Sequence, residues 1–386
     1  MNSARIYLDH AATTPLSPDV LDAMQPYFSQ DGYNPSSIHA EGRRARAAID
    51  AARESIAAIL HCKPKEIVFT ASGTEADNMA IIGAARAARV RGKHVVTTAI
   101  EHHAVLHAVR ALRDEGFEVT LLPVDANGVV EVAGFVDALR DDTVLAAVMY
   151  ANNEIGTIEP IAQLAQVARE RGVVFFTDAV QAAGTLDLDV RALDVDALAV
   201  SAHKFYGPKG VGALYVRDGT PLEALIHGGG QERGRRSGTE NVSGVVGMAR
   251  ALELAGGQRS ETNVRVAGLR DLLEAKVTAA VPRVHVNAQR VARLPGISSL
   301  TFAGVDAEAL VIALDLAGVA ASAGSACAAG SLEASHVVGA LGGAAASGGT
   351  LRLSLGRGTT LEQVERVAAL LPPLVAAQRE GAVLSV

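Results

Sequence analysis

The sequence has only two cysteines, Cys62 and Cys327, in 386 residues. That scarcity speaks against a disulfide framework. No C-x-x-C or C-x-x-H spacing occurs, and none of the eleven histidines falls in an H-E-x-x-H pattern, so no metal site is expected. His102 and His103 are adjacent, and adjacent side chains diverge on any regular element. Charge of one sign is never concentrated: the net charge of −7 comes without a long acidic or basic run. The chain therefore offers no basic stripe for nucleic acid and no cationic helix for a membrane surface. No apolar run reaches the ~18 residues of a membrane span, and the tail AALLPPLVAA is interrupted by two prolines. The opening MNSARIYLDH lacks the basic and apolar regions of a signal peptide, so a cytoplasmic protein is expected.

What is present is an ordinary globular composition, 49% apolar and 20% charged, long enough for a large domain plus a smaller one. SPDVLDAMQPYF opens like a helix, with Ser17 as cap and Pro18 in the first turn, and EGRRARAAIDAARESIAAIL follows with helical periodicity. EIVFT, HVVTTA, EVTLLPV, TVLAAVMY, VVFFTDA and VDALAVSA read as strands, most of them separated by helical segments such as EADNMAIIGAARAARVRG. This alternation over residues 60 to 220 predicts an α/β fold with a mainly parallel sheet covered by helices on both faces. Beyond residue 260 or so, LRDLLEAKVTAAV, GISSLTFA, DAEALVIALDLAG and TLRLSLG predict a smaller α+β unit. GALGGAAASGGT is the one low-complexity patch and reads as a flexible loop.

In open parallel sheets, ligands collect beyond the carboxyl ends of the strands. The segments there are ASGTEADN, IEHHAV, ANNEIG, TDAVQ and SAHKFYGPKG. Each taken singly is also what a strand-to-helix turn favours. Together they fit one cofactor. Lys204 follows an apolar strand, beside Ser201 and His203, and is one of only six lysines. A lysine held against apolar neighbours loses its proton more readily and can form a Schiff base, which an arginine cannot. The other reading of Lys204 is a solvated lysine in a turn. Asp178 ends a strand too apolar to leave a carboxylate without a partner. The protonated nitrogen of pyridoxal phosphate is such a partner, and capping the next helix is the alternative. SGTE, residues 72 to 75, opens a helix whose free N–H groups and Thr74 suit a phosphate, or simply cap that helix.

The run from YLDHAATTP (7 to 15) to LRLSLGRGTT (351 to 360), with NPSSIHAEG, SGTEADN, EHHAV, NNEIGT, TDAVQ, SAHKFYGPKG, GGGQERGRRSGT and SAGSAC between them in order, resembles the cysteine desulfurases. These belong to the class V group of fold-type I pyridoxal-phosphate enzymes. The resemblance covers nearly the whole chain, and SAHKFYGPKG with RRSGT is its most specific part. It implies a mainly parallel seven-stranded sheet with helices on both faces and a smaller α+β domain. The expected division is 15–258 for the large domain, with 1–14 and 259–386 forming the small one that carries Cys327 and Arg352.

The resemblance also implies roles. Lys204 holds the cofactor and shuttles the Cα proton; His102 stacks on the pyridine ring, Asp178 pairs with its nitrogen, and Gln181 reaches its phenolic oxygen. Thr74, Ser201 and His203 hold the phosphate, and Thr239 reaches the phosphate of a neighbouring subunit, which implies a homodimer with shared sites. Arg352 and Asn153 bind the substrate carboxylate, for which an arginine fork is suited, with Asn34 nearby. The implied reaction converts L-cysteine to L-alanine. It leaves the sulfur on Cys327 as a persulfide, which passes to an acceptor protein for iron–sulfur cluster or other sulfur-containing products.

Cys327 sits among Gly324, Gly330, alanines and serines, and the nearest charge, Glu333, has the wrong sign to activate a thiolate. A small buried hydrophobe would look similar. As the nucleophile, Cys327 needs to travel, and its neighbours have little side-chain entropy to lose, so residues 322 to 331 are expected to be mobile. Cys62, without a motif, is expected to be incidental. Competing assignments are a class V aminotransferase or a selenocysteine lyase, which share fold and cofactor, and a non-catalytic scaffold built on the same fold. SAGSAC separates the first of these, because transamination requires no thiol. The ending AAQREGAVLSV resembles the shorter nitrogen-fixation-type members, and a scaffold-docking tail is not expected.

Overall fold

The computed structural model describes residues 5–324 and 335–381. Cys327 and most of the stretch expected to be mobile lie outside the described residues. The chain enters through β1 (Ile6–Tyr7), followed by α1 (Pro18–Met24) and α2 (Ala40–Ile59). Ser17 is the N-cap of α1 and Pro18 its first residue, although the Ser17 side chain makes no capping bond. In α2 the apolar stripe Ala45, Ile49, Ala52 and Ile56 recurs at spacings of four and three, and this face is buried.

The large sheet is then laid down by β2 (Ile67–Thr70), α3 (Gly73–Ala88), β3 (His94–Thr98), α4 (His103–Asp114), β4 (Glu118–Leu122) and α5 (Val132–Ala138). It continues through β5 (Thr143–Ala147), α6 (Ile161–Glu170), β6 (Val174–Asp178), α7 (Val190–Leu193), β7 (Ala197–Ser201) and β8 (Gly212–Val216). The strand order is β2-β8-β7-β6-β5-β3-β4. Seven strands form a mainly parallel sheet, as expected; β8 alone runs antiparallel to both of its neighbours. Strands β5 to β8 are buried along their whole length, which is why they read as continuous apolar runs rather than as alternating ones. Only the edge strand β4 is largely exposed.

Next comes α8 (Val242–Ala280), a single 39-residue helix about 58 Å long. The sequence pattern instead starts a new helix near Leu269. Val245, Met248 and Leu252 pack into the core under the large sheet, whereas Leu273 and Val277 pack into a second core. Between them the helix crosses solvent and carries no apolar stripe, which hides its continuity. Polar anchors hold that span: Arg259 Nη1 donates to the Leu186 carbonyl at 2.9 Å, Asn263 to Thr185 at 2.8 Å, and Arg265 Nη1 to Thr359 at 2.8 Å.

The second core lies against β9 (Val284–Val286), β10 (Ile297–Ala303), α9 (Ala307–Leu316), β11 (Val319–Ala320), β12 (Ser322–Ala323), β13 (Gly348–Ser354) and α11 (Leu361–Arg379), while α10 (His336–Leu341) packs Val337, Val338 and Leu341 against Ile100, Met149 and Ile155. Its sheet has the order β12-β13-β10-β9, and β1 pairs with β11. The patch read as a flexible loop differs in the structure: it ends α10, makes one 3-10 turn and begins β13. Gly348 is required there, since a Cβ would stand 2.2 Å from the Phe302 carbonyl oxygen across the ladder. Helix α11 runs on through Pro372 and Pro373 rather than breaking. A proline inside a helix costs about 3 kcal/mol. Burial of Val364, Val367, Leu371 and Val375 offsets that, at roughly 1.5–3 kcal/mol for each side chain fully buried.

Candidate active site

A cavity of about 290 Å³ opens beyond the carboxyl ends of β6 and β7, against the first turn of α3. Thr74, His102, Asn153, Asp178, Gln181, Ser201, His203, Lys204 and Arg352 all line it. Two other expected residues do not. Asn34 lies on an exposed loop, where its Oδ1 accepts the Ser36 N–H at 2.9 Å, and Thr239 is exposed on the 228–239 segment.

Asp178 is the last residue of β6 and is buried; its Oδ1 accepts the Val180 N–H at 2.9 Å. Burial raises its carboxyl to about 6, and neither that hydrogen bond nor the nearby Lys204 charge restores the ordinary value. Such a group is poised for a cationic partner. Lys204 ends the short 3-10 turn that follows β7, and its Nζ donates to the carbonyls of Ala11 and, at 2.8 Å, Ala12. Gln181 Nε2 donates to the same Ala11 carbonyl at 2.7 Å. The YLDHAATT segment therefore orients both side chains through its backbone.

His102 is the N-cap of α4, and its Nδ1 accepts the Ala104 N–H at 3.1 Å, which leaves the ring proton on Nε2. Burial lowers its imidazole to about 4, and the positive Lys204 adds to the effect. His203, whose Nδ1 is 3.1 Å from Thr13 Oγ1, is lowered to about 4 for the same two reasons. Both rings are neutral at physiological pH.

Where α3 begins, the Ser72 hydroxyl accepts the Glu75 N–H at 3.1 Å, and Gly73 brings the backbone against Val180 and Ser201. A Cβ on Gly73 would stand 2.7 Å from Val180 Cγ2. That close approach leaves a cradle of N–H groups, Thr74 and Ser201 at the positive end of a 16-residue helix. On the far wall, Arg352 of β13 is 2% exposed. Its Nη1 donates to the Asn153 carbonyl at 3.0 Å, and its Nη2 to Asp9 Oδ1 at 2.9 Å. Its Nε is buried without an acceptor among the described residues.

Several contributors went unnoticed in the sequence. Asp9 lies inside YLDHAATTP and Asp77 inside SGTEADN, where a carboxylate is also what a turn or a helix start favours. Glu154, beside Asn153, is buried and raised to about 7 by that burial; Ser335 Oγ donates to its Oε2 at 2.5 Å. The 228–239 segment is pinned by the buried pair Arg53–Glu232, bidentate at 2.8 and 2.7 Å, and Glu232 also accepts the Phe69 N–H at 3.0 Å. Glu232 and Arg233 both adopt left-handed backbone there, at φ 47° and 59°. Cys62 is a free thiol raised to about 12, chiefly by burial. Among the described residues no group of His, Cys, Asp or Glu is placed to hold a metal, and no helix is long and apolar enough to cross a membrane.

The residues present fit a phosphorylated aromatic nitrogen heterocycle: an N–H cradle for the phosphate, a buried acid for a ring nitrogen, a neutral imidazole to lie on the ring, and an amine within the same cavity. Fold and cavity together define the fold-type I architecture of pyridoxal-phosphate enzymes. The chain belongs to the aminotransferase class-V family, whose signature matches residues 6–367, and within it to the cysteine desulfurases. It is 45% identical over 379 residues to a cysteine desulfurase IscS of Clostridium botulinum, covering 97% of this chain and 96% of that one. Among solved structures, a NifS-like protein superposes with a TM-score of 0.91 at 35% identity, covering 96% of this chain and 99% of the other. SspA in complex with cysteine superposes with a TM-score of 0.80 at 37% identity, covering 91% and 98%.

Proposed function

We propose that the chain is a pyridoxal-phosphate-dependent cysteine desulfurase that converts L-cysteine to L-alanine and collects the sulfur on Cys327. The observation that carries this reading is the convergence of the Lys204 amine, the buried Asp178 acid and the Arg352 guanidinium on one cavity. Relatives named cysteine desulfurase, and a similar fold solved with cysteine, favour the substrate.

Bound in the cavity, pyridoxal phosphate supplies an electron sink for a negative charge developing at the substrate Cα. Thr74, Ser201, His203 and the α3 amides would hold its phosphate. His102 would support the ring, Asp178 would pair with the ring nitrogen and Gln181 would serve the phenolic oxygen. Arg352, fixed by Asp9 and Asn153, takes the substrate carboxylate, and its buried Nε supplies a further donor. Asn153 and Asn34 serve the same end of the substrate. Lys204 would hold the cofactor, and its amine would take the Cα proton and return it. The Cys327 thiolate attacks the substrate sulfur: an S–S bond forms and the Cβ–S bond breaks. Its electron pair stays with the carbon, which is protonated to give alanine, and Cys327 is left as a persulfide for a sulfur-acceptor protein.

Thr239 is exposed and away from the cavity of its own chain, which supports a homodimer in which it serves the partner's phosphate. The large domain is assigned to 15–258 and the small one to 1–14 with 259–386, and the protein to the cytoplasm.

The test is an assay of purified protein, supplied with pyridoxal phosphate, on L-cysteine with an external thiol reductant. Alanine and sulfide in equal amounts, with sulfide lost in C327S while cofactor absorbance survives, are expected. A keto acid produced only when an amino acceptor is added would assign transamination instead. Failure to take up the cofactor at all would leave a scaffold.

A further inference from the structure

Three buried carboxyl groups cluster where β3 and β6 end and α3 begins, and the reading above uses one of them. Asp77, in the second turn of α3, is 1% exposed and lines the cavity together with Asp178. No hydrogen bond reaches its Oδ1. Glu101, immediately before His102, is also 1% exposed; its Oε1 accepts from Thr98 Oγ1 at 2.8 Å and from the Met149 N–H at 2.9 Å, while its Oε2 has no partner among the described residues.

The charged and titratable groups around Asp77 are set by every element at this end of the sheet. Asp178 comes from β6, Glu101 and the neutral His102 from the β3–α4 connection, neutral His203 and Lys204 from the turn after β7, and Arg352 from β13. Arg352 is engaged by Asp9, so it neutralises none of the three. Like charges clustered in a buried wall cannot all ionise. A partnerless oxygen on a carboxylate would be costly there, whereas a carboxylic acid has an O–H to give. Burial, with the charges of Asp178 and Glu101, holds the Asp77 acid well above the usual carboxylate range.

We propose that Asp77 is a positioning residue that remains a protonated carboxylic acid and acts through Asp178, keeping the pair at a single negative charge towards the ring nitrogen of the bound cofactor. The two then titrate as a unit, with one proton shared between them over the working pH range. This rests on the reading of the cavity as a pyridoxal-phosphate site, but the proton itself is a property of the apo protein and can be observed without cofactor.

The experiment labels aspartate carboxyl carbons with carbon-13 in the apo protein and follows their NMR shifts at neutral pH and above. Aspartate-only labelling separates Asp77 from Glu101. Wild type is expected to show one aspartate still un-ionised, with that signal absent from D77N and retained in D178N. Cofactor affinity, measured separately, should change by no more than about twofold in D77N, which keeps shape and neutrality, but fall roughly tenfold or more in D178N. No un-ionised aspartate in wild type, a signal that survives D77N, or one that vanishes in D178N would overturn the proposal. So would a loss of cofactor affinity in D77N as large as in D178N. If D77N does not fold, the wild-type and D178N spectra decide. A protein that shows the signal yet binds no cofactor refutes the reading of the cavity and leaves the proton assignment standing.

Discussion

Arg352 on β13 and Asp9 near the start of the chain form an ion pair at 2.9 Å, with the arginine side chain 2% exposed. The pair joins the second sheet to the segment whose carbonyls hold Lys204, so the Arg352 guanidinium and the Lys204 amine share one support. Asp9→Asn weakens that support without touching the substrate. A charge-assisted hydrogen bond is worth about 1.5–3 kcal/mol, so KM for L-cysteine should rise roughly tenfold while kcat changes little. Arg352→Lys should be worse, since a lysine presents no fork. Steady-state kinetics separates the two, and a D9N effect confined to kcat would contradict the positioning role.

Gly73 sets how closely the first turn of α3 approaches Val180 and Ser201. A Cβ there would stand 2.7 Å from Val180 Cγ2 and 3.3 Å from Ser201 Cβ, so Gly73→Ala must push one of them aside. Overpacking of this kind costs about 1–3 kcal/mol. Weaker cofactor binding and a lower unfolding midpoint are expected, and adding Val180→Ala should restore most of both. Cofactor titration and chemical denaturation of the single and double variants check this.

The lowered imidazoles of the cavity, His102 and His203, make stability depend on pH with a definite sign. His203 is held at about 4 when folded, against about 6.5 when unfolded, so the unfolded chain takes up a proton that the folded one refuses. Its contribution is complete above about 6.5 and is lost as pH falls through about 4. Asp178 and Glu154, raised to about 6 and about 7, work in the opposite direction: their contribution is complete near pH 4 and lost as pH rises through those values. The overall profile mixes both, so the comparison is apo wild type against His203→Gln. Their stability difference should shift against wild type steadily from about pH 6.5 down to about 4. A difference independent of pH would refute the assignment.

Cys62 is raised to about 12 by burial, so it remains a thiol at the pH of any ordinary assay. Alkylation at about pH 8 should modify Cys327 and spare Cys62, and Cys62→Ala should retain full activity. Peptide mapping of the alkylated protein checks this.

Much of the fold is legible because its physics is local. Fully buried parallel strands such as VVFFT and ALAVS are apolar along their length, and the loops that follow them collect the polar residues. The antiparallel strand β8, GALYV, is only five residues long and follows the SAHKFYGPKG turn directly, so the pattern marks no separate strand there. Helix α8 reads as two helices in the sequence because its middle is largely exposed and needs no apolar face. The motifs name most of the residues that the structure gathers at one cavity, but not the groups that support them. Asp9 and Arg352 are 343 positions apart, and the carbonyls that hold Lys204 belong to alanines whose side chains carry no signal. Asp77 gives no sign in the sequence of being partnerless, since that depends on what the fold places around it.

The central claim is that sulfur from the substrate comes to rest on this chain. The direct measurement is to mix cofactor-loaded protein with one equivalent of L-cysteine, without reductant, and record the intact mass, the peptide carrying the change, and the alanine released. One added sulfur atom mapped to Cys327, with alanine in matching amount, is the predicted result. Alanine released with Cys327 unmodified, or at an undiminished rate from C327S, would contradict it.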